Sequence, residues 1–352
     1  MTRVHQFHPV LAPGDAMSSH VFALQERLRG WGHDAQAYAV ETKPGAVDVL
    51  PYRRLFRDVG PDDLVLLHFS MGNEVFTQLA KLRARKVLVY HNVTPAEFFR
   101  GINAHAATYA RLGRRQLAEL APAMDLAIGV SAYNQRELDA AGYARTAHVP
   151  ILIDWRAFDG APDDAVMARW AGTRPLLLFV GRVSPHKRQD DLIRMLAYYR
   201  ACIDPNARLV LVGGYRDQPQ YHARLVALVA ALRLEPAVTF AGAVSAAELV
   251  AYFRSASAFV SLSEHEGFGV PLLEAMRADL PVIAYDAGAV GETVDGAGIL
   301  LADRDLANAA EAVGLVLERT DLRERLVAAG RTRLEAFDPD SVALRTREVL
   351  GL

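Results

Sequence analysis

The stretch L-L-L-F-V-G-R-V-S-P-H-K-R, Leu176–Arg188, joins a short apolar run to a glycine turn that carries Arg182 and Lys187. The apolar run Leu176–Val180 is typical of a buried strand, and the pattern of Asp190–Arg200 predicts a helix after the turn. A strand followed by a helix and another strand is the repeating unit of a parallel sheet. The stretch therefore predicts an α/β fold.

The same alternation continues on both sides of this stretch. The predicted strands before it are Val4–Phe7, Ala35–Val40, Leu64–His68, Lys86–Tyr90 and Leu126–Val130. Those after it are Arg208–Val212, Val238–Phe240, Ala258–Leu262, Pro281–Tyr285 and Gly298–Leu301. Amphipathic helical patterns separate them, so the sequence predicts two doubly wound domains with parallel sheets buried on both faces.

The boundary between the two series falls at V-P-I-L-I-D-W-R-A-F, around Pro150–Trp155, where polar loop segments follow. It separates an N-terminal domain, residues 1–153, from a C-terminal domain, residues 154–338. Ligands of open α/β sheets bind beyond the carboxyl ends of the strands. Two such domains facing each other would place the site in an interdomain cleft.

The composition excludes several classes of protein. The 352 residues include 39 basic and 41 acidic side chains, a net charge of −2 that provides no field for nucleic acid. A single cysteine, Cys202, excludes a disulfide framework and a cysteine-rich metal site. We find no apolar run long enough to span a bilayer and no signal-peptide pattern at the start. These features predict a cytoplasmic location.

A second informative stretch is S-E-H-E-G-F-G-V-P-L-L-E-A-M, Ser263–Met276, which lies between a predicted strand and a predicted helix. Glu266 would lie in the turn and Glu274 on the helix, with open glycine backbone at Gly267 and Gly269. Carboxylates accept bonds from hydroxyl groups, and amides at a helix N-terminus favour phosphate. The alternative is a pair of surface glutamates flanking a helix cap.

The cations of the first stretch favour a diphosphate ligand. Arginine binds phosphate through two parallel hydrogen bonds, whereas lysine acts as a point charge. The chain has 35 arginines and only 4 lysines, and Lys187 is its only lysine after residue 86. The alternative is a solvated cation at the start of a helix. The rarity of lysine in this arginine-rich chain favours a functional role for Lys187.

These motifs, in this order, resemble the retaining glycosyltransferases of family 4, which have the GT-B fold. The matching segments are F-V-G-R-V-S-P-H-K-R-Q-D-D-L-I, R-L-V-L-V-G-G-Y, V-T-F-A-G-A-V-S-A-A-E-L, E-G-F-G-V-P-L-L-E-A-M and P-V-I-A-Y-D-A-G-A-V-G-E-T-V. The resemblance implies two Rossmann-like domains, with residues 339–352 forming a helix that packs back on the N-terminal domain.

The resemblance also implies roles for individual residues of the C-terminal domain. Arg182 and Lys187 would bind the donor diphosphate and stabilise it as a leaving group. Glu266 would bind donor-sugar hydroxyls, with help from the backbone of Gly267–Gly269, where Phe268 and Gly269 supply amides. Glu274 would hold the ribose. The backbone at Ala243 and Val244 would contact the nucleobase.

The first half matches the family more loosely. The family's glycine-rich turn corresponds here to P-G-D-A-M-S-S-H, Pro13–His20. The resemblance implies that Gly14 of this turn lies on the donor side. His91 ends a predicted strand and resembles the family's active-site histidine near the donor sugar. The acceptor-side candidates are His68, Ser70 and Asn73, at the carboxyl end of another strand.

Other enzyme classes fit the motifs less well. The Asp-x-Asp sequences at 303–305 and 338–340 precede helical patterns and are typical of N-caps, which argues against a metal site. Gly129–Tyr133 lacks the last glycine of a hydrolase elbow, and Ser131 there is typical of a helix cap. Neither half contains the glycine pattern of a dinucleotide-binding dehydrogenase. We predict no metal and no cofactor.

Two segments combine aromatic and basic residues and could contact a membrane surface. They are Phe98–Arg115 and Arg53–Arg57. A solvated helix face of the N-terminal domain is the favoured alternative. A lipid-linked acceptor would favour peripheral binding at the inner face of the membrane.

The sequence therefore predicts a retaining hexosyltransferase that acts on a nucleoside diphosphate sugar and on a glycan or lipid-linked acceptor. The donor is predicted to be GDP-mannose or, next, a UDP-hexose. A sugar-nucleotide epimerase of the same fold would consume the donor without an acceptor. A non-catalytic sugar-nucleotide-binding protein would require a broken site.

Overall fold

The structure is a computed structural model that describes residues 2–352. The chain divides into two compact units. Unit 1 contains the chain up to Asp154 together with Phe337–Leu352, and unit 2 is Trp155–Ala336.

Unit 1 is built on a seven-stranded sheet in which every strand pair is parallel. Its strands are β1 (Arg3–Leu11), β2 (Asp34–Thr42), β3 (Val49–Pro51), β4 (Leu64–Phe69), β5 (Arg85–Tyr90), β6 (Leu126–Gly129) and β7 (Thr146–His148). The order across the sheet is β3-β2-β1-β4-β5-β6-β7. All six residues of β4 are buried, as expected for a central parallel strand covered on both faces.

The helices of unit 1 connect successive strands. They are α1 (Ala16–Gly30), α2 (Tyr52–Asp58), α3 (Glu74–Leu79), α4 (Ala104–Leu120) and α5 (Ala132–Ala140). Ser131 accepts a hydrogen bond from the amide of Asn134, which confirms its prediction as a helix cap.

Unit 2 contains a six-stranded parallel sheet in the order β10-β9-β8-β11-β12-β13. Its strands are β8 (Leu176–Val180), β9 (Arg208–Val212), β10 (Val238–Gly242), β11 (Ala258–Ser261), β12 (Val282–Tyr285) and β13 (Ile299–Leu301). The prediction of two doubly wound parallel sheets is confirmed. The chain reverses its direction of winding between β8 and β11 in this sheet, and between β1 and β4 in unit 1.

The helices of unit 2 are α6 (Asp164–Trp170), α7 (Gln189–Cys202), α8 (Pro219–Ala231), α9 (Ala246–Ser255), α10 (Val270–Arg277), α11 (Val290–Val294), α12 (Leu306–Glu318) and α13 (Thr320–Glu335). Asp305 caps α12 by accepting from the amides of Ala307 and Asn308. Its carboxylate is therefore used by the helix, as the sequence predicts for this Asp-x-Asp.

The last helix, α14 (Pro339–Leu350), belongs to unit 1. Its residues Val342, Ala343 and Leu350 are buried in one apolar cluster with residues of β1 and α1. Asp338 caps the helix, and Arg27 pairs with Asp340 at 2.7 Å. The end of the chain thus completes the core of the first unit.

Across residues 2–352, no helix combines the length and apolar composition that crossing a bilayer requires.

Candidate active site

Two loops leave the carboxyl ends of β8 and β11, the neighbouring strands at the switch point of the unit 2 sheet. The first loop contains Gly181–Arg188 and the second contains Ser263–Gly269. The amide of Glu264 donates to the carbonyl of His186 over 2.8 Å and so joins the loops. The two sequence motifs are therefore neighbours at the edge where such sheets bind ligands.

Lys187 and Glu266 form an ion pair between these loops. The Nζ atom of Lys187 lies 2.6 Å from each carboxylate oxygen of Glu266. The two side chains are only 18% and 15% exposed, so water screens the pair less than it would a surface pair. Sequence reasoning selected both residues but did not predict their contact. A ligand could replace this ion pair: Lys187 could bind a negatively charged group, and Glu266 could accept hydrogen bonds from hydroxyl groups.

Arg182 is the exposed cation of the first loop. Among residues 2–352 its guanidinium has no ion-pair or hydrogen-bond partner. Its backbone is fixed, because its carbonyl accepts from Nε2 of Gln189 over 3.0 Å and the amide of Val183 donates to Gly214. Arg188, in contrast, pairs with Asp191 at 2.8 Å. An unpaired guanidinium on a fixed backbone can bind phosphate without first breaking an ion pair.

Two glycines from the family-matching segments allow these loops to pack, a role that the sequence did not predict. A Cβ atom at Gly213 would overlap the carbonyl group of Gly181. A Cβ atom at Gly288 would overlap the carbonyl oxygen of Glu266, and Gly288 has φ +63°, a left-handed conformation. The next amide, of Ala289, donates to that oxygen over 3.0 Å. Gly288 therefore positions the backbone of Glu266.

The backbone from Gly267 to Gly269 leads into α10. Gly269 is the N-cap residue, and Phe268 is buried. The hydroxyl of Thr293 donates to the carbonyl of Phe268 over 2.6 Å. The loop is thus held at the amino end of a helix, where the helix dipole favours negative charge.

Glu274 lies on α10 and is partly buried. In the described part of the chain its carboxylate has no hydrogen bond or ion pair. Burial alone raises the pKa of Glu274 to about 7. A carboxyl group without a protein partner is available to a ligand with hydroxyl groups.

This raised pKa predicts a pH-dependent stability. Between its ordinary value of 4.5 and about 7, the folded chain holds a proton on Glu274 that the unfolded chain releases. The free energy of unfolding should therefore fall as pH rises through this window, and the loss should be absent from Glu274→Gln. Urea unfolding of both chains at pH 5 and pH 8 measures the difference. Parallel changes in the two chains would contradict it.

Ala243 and Val244 directly follow β10. Ser245, the next residue, forms a capping box with Glu248 at the start of α9. The side chain of Ala243 is exposed and that of Val244 is partly exposed. Their backbone lies at the same edge of the sheet as the two motif loops.

In unit 1, His91 lies just after β5 and His68 lies within β4. Nδ1 of His68 is 3.1 Å from Nε2 of His91, and Nε2 of His68 is 3.0 Å from Oε1 of Gln6. His68 is fully buried, so it can act on a ligand only through His91. Nδ1 of His91 is buried without a partner among residues 2–352, which costs about 1–3 kcal/mol.

A third histidine, His20 on α1, completes this cluster. One ring nitrogen from each of His20, His68 and His91 lies within 4.8 Å of the others. Burial lowers the pKa of His20 to about 4. Burial and, second, the neighbouring histidines hold the pKa of His68 and of His91 well below the usual value. All three rings are therefore neutral at pH 7.

The other unit 1 candidates are more scattered. Gly14 is exposed in the turn between β1 and α1, at φ +82°. The hydroxyl of Ser70 lies 3.1 Å from Nε2 of His8. Asn73 caps α3 with its side chain, which accepts from the amide of Val75. Ser70 and Asn73 are both partly exposed.

The two aromatic and basic segments differ in exposure. Phe99 is buried, and Arg114 pairs with Glu137 at 2.7 Å. Along α2, by contrast, Phe56 is 38% exposed and lies among exposed arginines. The α2 segment therefore exposes an aromatic side chain among its arginines.

Comparison with known proteins shows what this chain is similar to. The family profile described as "Glycosyl transferases group 1" matches residues 164–333. A GDP-mannose-dependent alpha-(1-6)-phosphatidylinositol monomannoside mannosyltransferase of Mycobacterium tuberculosis is 30% identical over 236 residues, 62% of this chain and 60% of that protein. A D-inositol 3-phosphate glycosyltransferase of Nocardia farcinica is 29% identical over 336 residues, 88% of this chain and 73% of that protein.

The match covers about six-tenths of the length of the first curated relatives. Among solved structures, Anabaena Alr3699/HepE in complex with UDP-glucose has a TM-score of 0.81 at 18% identity, with all of both chains covered. Sucrose-phosphate synthase from Thermosynechococcus elongatus has a TM-score of 0.79 at 20% identity and covers 99% of this chain and 98% of that one. Residues 164–333 thus match the group 1 glycosyl transferases, and the chain has the GT-B fold.

Proposed function

We propose that this chain is a retaining glycosyltransferase that moves a hexose from a nucleoside diphosphate sugar to a hydroxyl group of a glycan or lipid-linked acceptor. The observation that carries the proposal is the switch point of unit 2, where the unpaired Arg182 lies in the same loop as Lys187, which pairs with Glu266. Two cations and a carboxylate match a diphosphate joined to a polyhydroxylated sugar.

In this proposal Arg182 and Lys187 bind the diphosphate. Glu266, released from Lys187, accepts hydrogen bonds from donor-sugar hydroxyls, and the backbone of Gly267–Gly269 faces the phosphates. Glu274 holds the ribose, and the backbone at Ala243 and Val244 contacts the nucleobase. In unit 1, Gly14 belongs to the donor side and His91 contacts the sugar.

The cations supply the main catalytic effect, because negative charge grows on the phosphate oxygen as the anomeric C–O bond breaks. The acceptor oxygen forms its bond to the anomeric carbon on the same face. Its proton passes to the departing phosphate oxygen. The reaction therefore needs no enzyme nucleophile, and it needs no metal because Arg182 and Lys187 balance the charge.

The nature of the donor is proposed from the relatives. Among them, the M. tuberculosis mannosyltransferase is named for GDP-mannose, which favours GDP-mannose here. The UDP-glucose complex of the Anabaena protein supports UDP-hexoses as the alternative.

For the acceptor, we propose the partly exposed edge at Ser70 and Asn73, with His68 acting through His91. A phosphatidylinositol monomannoside, named for the M. tuberculosis relative, is a lipid-linked acceptor of the proposed class. The exposed Phe56 on α2 is compatible with peripheral contact with a membrane.

Product analysis tests the proposed reaction. Incubation with donor and acceptor should give a glycoside whose anomeric configuration, read from its ¹H NMR spectrum, equals that of the donor. The yield should be the same with a chelator. An inverted linkage would contradict the same-face mechanism, and donor consumption without acceptor would favour an epimerase.

The nucleobase can be identified by thermal unfolding. Ligand at 100 times its dissociation constant stabilises the folded state by about 2.7 kcal/mol. We expect GDP and GDP-mannose to raise Tm more than UDP, ADP and their sugars do. A larger shift with UDP would reverse the assignment of the donor.

A further inference from the structure

The hydrogen bonds behind His91 form a polar chain inside unit 1. The side-chain amide of Gln6 donates to the carbonyl of Val21 over 3.0 Å. Oε1 of Gln6 lies 3.0 Å from Nε2 of His68, and Nδ1 of His68 lies 3.1 Å from Nε2 of His91. Gln6 and His68 both have 0% exposure, so these bonds are made within the core.

The direction of each bond follows from the first one. Because a carbonyl group can only accept, Gln6 must present its NH₂ group to Val21 and its oxygen to His68. Nε2 of His68 then donates to Gln6, and Nδ1 of His68 accepts. The proton of that last bond must come from Nε2 of His91, which leaves the lone pair of neutral His91 on Nδ1.

Nδ1 of His91 is the last atom in this series of hydrogen bonds. It is buried, and no other group in residues 2–352 bonds to it. Buried polar atoms are nearly always satisfied in folded proteins, so an exception indicates a missing partner. The partner must be a donor, because Nδ1 can only accept in this tautomer.

We infer that Gln6 and His68 are positioning residues that hold His91 in its Nε2–H tautomer, so that Nδ1 accepts a hydrogen bond from a hydroxyl group of the bound sugar. The inference rests on the proposed function, in which His91 contacts the donor sugar. In this inference His68 does not contact the ligand but orients His91. Gln6, which no sequence motif indicates, is a second positioning residue.

The competing reading of the three histidines is a metal site, and the bonds of His20 oppose it. Nδ1 of His20 accepts from the amide of Leu152 over 2.8 Å. A neutral histidine that binds a metal through Nε2 carries a proton on Nδ1, which would face that amide N–H. Without His20 only two ligands remain, fewer than the three or four of protein zinc sites.

The tautomer can be measured directly on the full chain labelled with ¹⁵N-histidine. Two-bond ¹H–¹⁵N spectra should show a protonated Nε2 and an unprotonated Nδ1 for both His91 and His68 at pH 7. Assignment comes from the chains with His68→Phe and with His91→Phe. A proton on Nδ1 of His91 would overturn the inference whatever the activity.

The Gln6→Leu variant tests the positioning role. It removes the acceptor for His68, so both rings should show mixed tautomers and kcat/KM should fall about tenfold, the effect of one misaligned hydrogen bond. Nucleotide binding should not change. Gln36→Leu on β2 is the matched control. An unchanged tautomer in Gln6→Leu would overturn the inference.

Zn²⁺ is the probe for the competing reading. Isothermal titration with Zn²⁺ should show no binding that depends on His68 and His91. Binding that shifts their ring resonances would replace the positioning chain with a metal site. If no donor is turned over at all, the proposed function fails, but the tautomer spectra still decide whether the chain of bonds is as inferred.

Discussion

Replacing Lys187 with alanine is expected to lower kcat by a factor on the order of 10² to 10³, the usual cost of removing one group that stabilises developing charge. The loss should be larger than for a surface cation, because the side chain is only 18% exposed. Replacement also leaves the carboxylate of Glu266 without its partner at 2.6 Å. The measurement is steady-state transfer together with circular dichroism to show that the fold persists.

The control is Lys81→Ala, which removes an exposed lysine from unit 1 and should keep full activity. Glu266→Ala should lose activity to a similar extent. The double variant should lose less than the product of the two single losses, because each single change leaves the other member of this partly buried ion pair without its partner. Near-normal turnover in Lys187→Ala would remove this lysine from the catalytic site, and fully multiplicative losses would show that the pair does not act together.

Gly288→Ala should lower kcat/KM on the order of 10²-fold, although residue 288 contacts no ligand in the proposed reaction. The new Cβ would overlap the carbonyl oxygen of Glu266, so the loop that carries this carboxylate must move. A displacement of about 1 Å in a reacting group can cost 10²-fold in rate. Steady-state kinetics with varied donor gives the effect.

The chain supplies a matched control for this variant. Gly296 is also left-handed, at φ +80°, but a Cβ atom there meets nothing within 4 Å. Gly296→Ala carries the same backbone cost, roughly 1–2 kcal/mol, without the collision. It should lower Tm and leave kcat/KM unchanged. Equal kinetic losses in the two variants would show that backbone strain, rather than displacement of Glu266, explains the result.

The local features of unit 2 were predictable because each is encoded in adjacent residues. The strand, glycine turn and cations of Leu176–Arg188 follow one another directly. The contact of Lys187 with Glu266 was not predictable in this way. It requires β8 and β11 to be neighbours, and strand order is set by the whole sheet rather than by either motif.

The role of His68 also could not be predicted from the sequence. Its position near the carboxyl end of β4 predicts a group at the ligand edge. In a central parallel strand both faces are buried, so the apolar pattern does not show which way a polar residue points. His68 is fully buried, with Gln6 on one side and His91 on the other. Only the packing of three strands reveals this.

Short elements were missed for a simpler reason. The strands β3 (Val49–Pro51) and β7 (Thr146–His148) contain no buried residue, so no buried apolar run marks them, whereas the equally short β13 was predicted from its sequence Ile-Leu-Leu. Gly213 and Gly288 lie in segments that match the family, but their contacts with Gly181 and Glu266 were not predicted, because these neighbours are distant in sequence.

The placement of α14 determines when unit 1 can finish folding during synthesis. A ribosome releases residues 1–154 first, and domains made early usually fold while translation continues. The apolar cluster that contains Val4, Leu24 and Leu28 remains uncovered at that stage, because Val342 and Leu350 are made after all of unit 2. The nascent first unit therefore lacks the partner of this apolar face while about half of the chain is translated.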